Sequence, residues 1–320
     1  MRPFYRFLLS TCVLSPCLAG MASLATAAGP VVRAEPVAPG VWFVQGEAAM
    51  GSSANRNFVS NAGIVATGDG VVVIDALGSP ELGEELVAEI RRVTSEPIRW
   101  VVVTHYHADH VYGLQALQAA GAKVLAHPAA REYLGSELAQ RRLATSREEL
   151  FPFVDEQTRI VAPDVWMEGE ETVLKLGRRE LVVRHGGPAH TPEDVVVFVR
   201  DAGVLFAGDL VFRGRVPFVG NADSRKWIAS LDALLAWQTR VVVPGHGATS
   251  ASPAADLALT RDYLAHLRKT MGEAARNLEP FEEAYAKADW SRFESLPLFR
   301  AANRMNAYNT YLLMETEAAK

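Results

Sequence analysis

Cysteine is almost missing from this chain. Of 320 residues only Cys12 and Cys17 carry a thiol, and both fall in a stretch that reads as a leader. The remainder has no cysteine, which excludes disulfides, a thiol nucleophile and thiolate metal ligands. An excess of positive charge is missing too. The formal net charge is −5 and no basic stripe occurs, so no nucleic-acid partner is expected. Beyond the N-terminus there is no long apolar run, and no stable membrane insertion is expected once the leader is cleaved. Internal repeats and low-complexity tracts are absent. So are a G-x-S-x-G elbow, an H-E-x-x-H helix and a P-loop. Gly245-His246-Gly247-Ala248-Thr249-Ser250 only half resembles a dinucleotide fingerprint. The chain is 49% hydrophobic and 22% charged, which rules out full-length disorder.

What is present starts with residues 1–28. Arg2 and Arg6 precede an apolar stretch over 7–24, and Ala25-Thr26-Ala27 offers a cleavage site before Ala28. This predicts a signal peptide removed on export, with a periplasmic or secreted product. No twin arginine is present, which favours the Sec route.

Residues 31–75 read as β: Val41-Trp42-Phe43-Val44, Phe58 to Val65 and Val71-Val72-Val73-Ile74, with a turn at Gly68-Asp69-Gly70. The Gly46–Asn57 stretch reads as a surface loop, with Trp42, Met50 and Phe58 weighed as a lid against core packing. Ser79 and Pro80 open a helix whose Leu82, Leu86, Ile90 and Val93 form one face. A strand over 98–103, a helix over 111–120 and a strand at 124–126 follow, and 136–170 is polar without a clear period. Strands are expected at 172–184, 195–200, 203–207 and 241–243, with a helix from Asp223 turning Trp227, Leu231, Leu234 and Leu235 inward. From Pro253 onward the chain reads as helical. The predicted organisation is a signal peptide (1–28), a main domain (29–250) and a helical extension packed on it (251–320).

Chemistry concentrates at strand ends. His105-Tyr106-His107-Ala108-Asp109-His110 follows the 98–103 strand directly. Four residues of metal-ligand type occupy six positions, with two of them alternating so that they can share one ion. Three further candidates each follow an apolar strand beside a glycine: His190 in Gly-Gly-Pro-Ala-His-Thr, Asp209 in Phe-Ala-Gly-Asp, and His246 in Pro-Gly-His-Gly. Glycine there permits close backbone approach. His127, His185 and His266 read as ordinary strand or helix histidines.

These motifs, in this order, resemble the five-motif set of the metallo-β-lactamase-fold hydrolases, with Asp75 matching the first. The resemblance covers roughly residues 35–250. It implies an α/β fold, an αββα sandwich of two mixed β-sheets flanked by helices. It implies that His105, His107 and His190 hold one Zn²⁺, that Asp109, His110 and His246 hold a second, and that Asp209 bridges them as in the glyoxalase II-like branch. Iron or manganese are the alternative occupants. Asp75, Thr104 and Thr191 are expected to support the ligands. Where many lactamases carry a lysine three residues past the bridging position, this chain has Phe212, with Arg213 and Arg215 nearby as candidate anion contacts. A weaker likeness is to zinc metallohydrolases associated with quinoprotein dehydrogenases.

The activity implied is hydrolysis of an ester, thioester, lactone or amide of a small molecule by a metal-bridging hydroxide, with Asp109 holding the nucleophile. The alternatives are a class B β-lactamase, an iron-dependent persulfide dioxygenase, and a non-catalytic accessory protein of a periplasmic oxidation system. A flavodiiron protein is excluded: its pattern has Glu where His107 stands, and no room remains for a flavodoxin domain. Oligomeric state is not readable from the sequence.

Overall fold

Valine-rich strands with alternating exposure to two cores build the molecule. The computed structural model describes residues 31–237, 239–250 and 252–318, so the signal-peptide reading lies outside the described residues. One sheet contains β1 (Ala34–Ala38), β2 (Val41–Val44), β3 (Ala62–Ala66), β4 (Val71–Ile74), β5 (Ile98–Val102), β6 (Lys123–Ala126) and β7 (Val165–Trp166), in that spatial order. Its first four strands are antiparallel, and β4 to β7 run parallel. The second sheet contains β8 (Glu171–Leu176), β9 (Arg179–His185), β10 (Val195–Val199), β11 (Val204–Phe206) and β12 (Val241–Val243). It is antiparallel except for the parallel β11–β12 pair.

The period of two sorts side chains between layers. In β4, Val72 and Ile74 face the other sheet, while Val71 and Val73 face the helices. In β10, Val195, Val197 and Val199 point inward and Val196 points out. Phe43, Val65, Leu181 and Phe206 help fill the space between the sheets.

Helices α1 (Pro80–Val93), α2 (Ala108–Val111), α3 (Leu114–Ala119), α4 (Ala130–Leu134) and α5 (Glu137–Glu149) belong to the first half. Helices α6 (Ser224–Leu235), α7 (Pro253–Arg276), α8 (Phe281–Lys287) and α9 (Phe299–Ala318) belong to the second. Ser79 caps α1 by accepting from Leu82 N at 3.4 Å. Leu82, Leu86 and Ile90 are completely buried, each contributing about 2 kcal/mol by leaving water. Trp227 of α6, Leu257, Leu264 and Leu267 of α7 and Ala302 of α9 share one core against the second sheet. Two mixed sheets flanked by helices are thus the observed fold.

Three local differences from the sequence reading have physical causes. The stretch 172–184 is a hairpin, because Gly177 takes φ 54 and turns the chain between β8 and β9. The helix expected at 111–120 is split into α2 and α3 at Gly113, whose backbone lies against Gly83 of α1. The polar 136–170 segment contains α5, which buries only Ala139, Leu143 and Ser146.

Candidate metal centre

The site forms where strands of both sheets end. β4 delivers Asp75, β5 delivers Thr104 and His105, the β9–β10 connection carries His190, and His246 follows β12. Asp209 lies in a 3-10 turn (Gly208–Leu210) just past β11. His107 precedes α2, and Asp109 and His110 lie on it.

Two groups of donor atoms result. His105, His107, His190 and Asp209 bring one atom each within 4.8 Å of one another, and so do Asp109, His110 and His246. Asp209 touches both groups. Its Oδ2 is 3.4 Å from His190 Nε2, 3.7 Å from His105 Nε2 and 3.3 Å from His246 Nε2, and its Oδ1 is 3.2 Å from His110 Nε2. Asp109 Oδ2 lies 3.3 Å from His246 Nε2 and 3.6 Å from His110 Nε2. Ligands at ~2.05 Å around a tetrahedral zinc would be separated by about 3.3 Å, so the spacing suits a metal. The donor chemistry agrees. His105 Nε2, His110 Nε2 and Asp209 Oδ1 are buried without a hydrogen-bond partner, and all three turn toward the same centre. Buried polar atoms left unpaired are costly, and a cation would satisfy them together.

A family model described as the Metallo-beta-lactamase superfamily matches residues 55–246. The chain belongs to this superfamily. It is 31% identical over 193 residues to a Metallo-beta-lactamase type 2 of Bacillus sp. (strain 170), covering 59% of this chain and 66% of that protein. It is 26% identical over 252 residues to a Linear primary-alkylsulfatase of Pseudomonas sp. (strain ATCC 19151), covering 67% of this chain and 47% of the relative. The chain therefore spans about half to two thirds of these relatives' length. Among solved structures, a metallo-beta-lactamase from Pontibacter korlensis superposes with TM-score 0.56 at 26% identity, over 73% of this chain and 99% of that one. The inverting sec-alkylsulfatase Pisa1 from Pseudomonas sp. superposes with TM-score 0.72 at 20% identity, over 88% of this chain and 50% of that one, a likeness of fold.

In this metallo-β-lactamase fold the donor residues are held from behind. His110 Nδ1 donates to Asp75 Oδ2 at 2.9 Å. His105 Nδ1 donates to Thr104 Oγ1 at 3.0 Å, and that hydroxyl donates to Asp75 Oδ2 at 2.8 Å. Thr104 N also donates to Asp75 Oδ1 at 2.8 Å. One buried carboxylate thus orients two imidazoles and turns each Nε2 inward. Asp75 does so from a left-handed backbone, φ 61, a conformation that non-glycine residues keep only when surroundings enforce it. His246 Nδ1 donates to the carbonyl of Val59 at 2.8 Å. Thr191 touches none of the ligands. Its N–H and hydroxyl donate to Asp194 at 2.7 and 2.8 Å, closing the turn beside His190.

Glycine is needed at two places. A side chain at Gly245 would collide with Asp209 Oδ1, and one at Gly208 (φ +50) would strike Thr104.

Burial governs the charges. It is the main cause that holds His105 well below its ordinary value, assisted by His110, and it brings His190 down to about 3, assisted by His107. His107 is lowered by burial as well. At His110 burial also acts to lower the value but is outweighed by Asp209, Asp109 and Asp75, which raise it well above the usual range. Asp209 stays well below the usual carboxylate value, because His246 and His110 overcome the opposing effect of burial.

Several residues that matter here escaped the sequence reading. Asn61 Nδ2 donates to Pro244 O at 2.8 Å and Gly247 O at 2.7 Å, bracketing His246, while its Oδ1 accepts from Gly46 N at 3.1 Å. Ser60 donates to the carbonyl of Asp109. The only signal was a polar pair abutting the buried Ala62–Ala66 strand. Of the two arginine side chains, Arg215 lies against a donor residue, its Nη1 3.4 Å from His246 Nδ1. Arg213 Nε pairs with Asp256 Oδ1 at 3.1 Å. Arg215 is 1% exposed, packed over the rings of Phe212 and Phe218 at 5.5 and 5.0 Å. Phe58 is buried in the first core, Trp42 packs against it, and Met50 is exposed. Among the described residues no helix is long and apolar enough to cross a membrane.

Proposed function

We propose that this protein is an exported, metal-dependent hydrolase that binds two Zn²⁺ and cleaves an ester, thioester, lactone or amide bond of a small molecule. The observation that supports it is the pair of adjoining donor groups sharing Asp209, with inward nitrogens and a carboxylate oxygen left unpaired. Residues His105, His107, His190 and Asp209 would hold one cation, and Asp109, His110 and His246 the other. Bound divalent cations supply Lewis acidity, polarising the scissile bond and acidifying water at neutral pH. The chain's own part is preorganisation. Asp75, Thr104 and Val59 O hold the imidazoles of His105, His110 and His246 in place ahead of any ligand. Asp109 is partly exposed, unlike Asp209, and burial is overcome by His110 and His246 to keep it ionised. It is the carboxylate placed to orient an attacking water and take its proton.

Metal analysis together with an anaerobic panel of esters, thioesters, lactones, β-lactams and primary alkyl sulfates tests the proposal. The expected result is about two zinc ions per chain and turnover on one class. Iron with oxygen consumption would favour the dioxygenase reading instead. Asp109→Asn is expected to lower kcat at least about a hundredfold with metal still bound; an unchanged kcat in that state removes its assigned role.

A further inference from the structure

One of the donor groups reaches a cleft of about 600 Å³ through His107 and His190, which line it. Its walls are mainly apolar and aromatic: Tyr106, Tyr133, Leu138, Phe218 and Val219. Leu138 stands at the rim, 65% exposed. The carboxylates on the walls are Glu132 and Glu193, and no lysine or arginine is among the described residues that line the cleft. Arg215 is buried at the metal centre, with Nη1 3.4 Å from His246 Nδ1 and its guanidinium over the Phe218 ring, and is not among the lining residues. Glu193 is a fixed feature. It is 5% exposed, and its Oε1 accepts from the backbone N–H of Tyr106 at 3.2 Å. That bond ties it to the residue between two ligands. Glu132 is exposed on α4.

An anionic group entering this cleft meets carboxylates and finds no counter-charge once past the metal centre. Like charges brought together at an interface with low-dielectric walls repel strongly. An apolar arm gains by burial against the aromatic walls, and a cationic tip gains from Glu132 and Glu193.

We propose that the substrate's arm remote from the scissile bond is apolar and ends in a neutral or positively charged group, and that arms ending in an anion are rejected. This rests on the metal-centred reading of the donor groups. It sets the chain apart from a site that would grip a substrate carboxylate through lysine or arginine.

The test uses three hydroxamic acids that share one metal-binding head and differ at the far end: hexanohydroxamic acid, 6-aminohexanohydroxamic acid and adipic acid monohydroxamate. Binding to the zinc-loaded protein is measured by calorimetry, so no turnover is needed. The methyl and ammonium compounds are expected to bind at least about tenfold tighter than the carboxylate compound. Glu132→Gln, at an exposed position, is expected to shrink that gap severalfold, and Glu193→Gln to shrink it further if its melting temperature shows a folded protein. Equal affinity for the methyl and carboxylate compounds overturns the proposal and leaves the metal centre standing. An unchanged gap in both variants overturns the part assigned to these glutamates. Failure of all three compounds to bind overturns the metal-centred reading, and this inference with it.

Discussion

Asp75 shows how much one residue can carry. It donates nothing to the centre itself, yet its two oxygens hold Thr104 and His110 directly and His105 through Thr104. Asp75→Asn removes the charge and one acceptor. Loss of such a partner behind a ligand typically costs ten- to a hundredfold in metal affinity. We expect a drop of about that size for zinc measured by competition with a chelator, with far-UV circular dichroism unchanged. This residue was legible in the sequence because it terminates an apolar strand and matches a motif. Asn61 was not, because its importance lies in reaching residues 244 and 247, far along the chain. No local pattern encodes such a distance. Glu132 and Glu193 are alike in this respect: separate segments bring them to one cleft. The seven donor positions could be read because ligand types recur at strand exits. Their convergence needed the fold.

At the scale of elements, the connections between strands deserve as much weight as the strands. Asn61 clamps the turn after β12 with bonds on both sides of His246. Asn61→Ala leaves two buried carbonyls and the Gly46 N–H without their partner, at about 1–3 kcal/mol. The expected outcome is a melting temperature lowered by several degrees together with weakened metal binding. An unaltered affinity would show that the turn holds its shape without the clamp. A second connection joins the sheets. His127, after β6, stacks on His185 at the end of β9, with ring centroids 3.7 Å apart and planes 6° from parallel. Burial, then His185, lowers His127 to about 4. A histidine held neutral in the fold stabilises above its unfolded value of about 6.5. That stability is lost as pH falls from there through about 4. His127→Phe keeps the stack without a titrating group. The melting temperature of the variant relative to the parent is expected to rise as pH falls across this window. A constant difference would show that His127 has the same pKa folded and unfolded. The α5 segment was illegible for a plain reason: with only Ala139, Leu143 and Ser146 buried, it has too narrow an apolar face to show a helical period.

For the whole molecule, the donor set draws on both sheets. His105 follows β5 of one, and Asp209 and His246 follow β11 and β12 of the other. A ligand that binds only the folded state stabilises it by about 4 kcal/mol at a thousand times its dissociation constant. Chelation by EDTA is therefore expected to lower the melting temperature by roughly ten degrees or more, and zinc to restore it. An unaffected transition would mean that metal and fold are independent. The two halves also differ in what was readable. The β-branched strand runs and the N-cap of α1 were plain, whereas α7 and α9 sharing a core with Trp227 of α6 came from packing that periodicity alone does not specify.

The spread of donors along the chain sets a timetable. The first histidine of the centre is residue 105 and the last is 246, and the clamp on that last one comes from residue 61. A growing polypeptide therefore offers the first group complete only after residue 209 and the second only after residue 246. A chain stalled before residue 246 would leave the ribosome without the last donor of the second group.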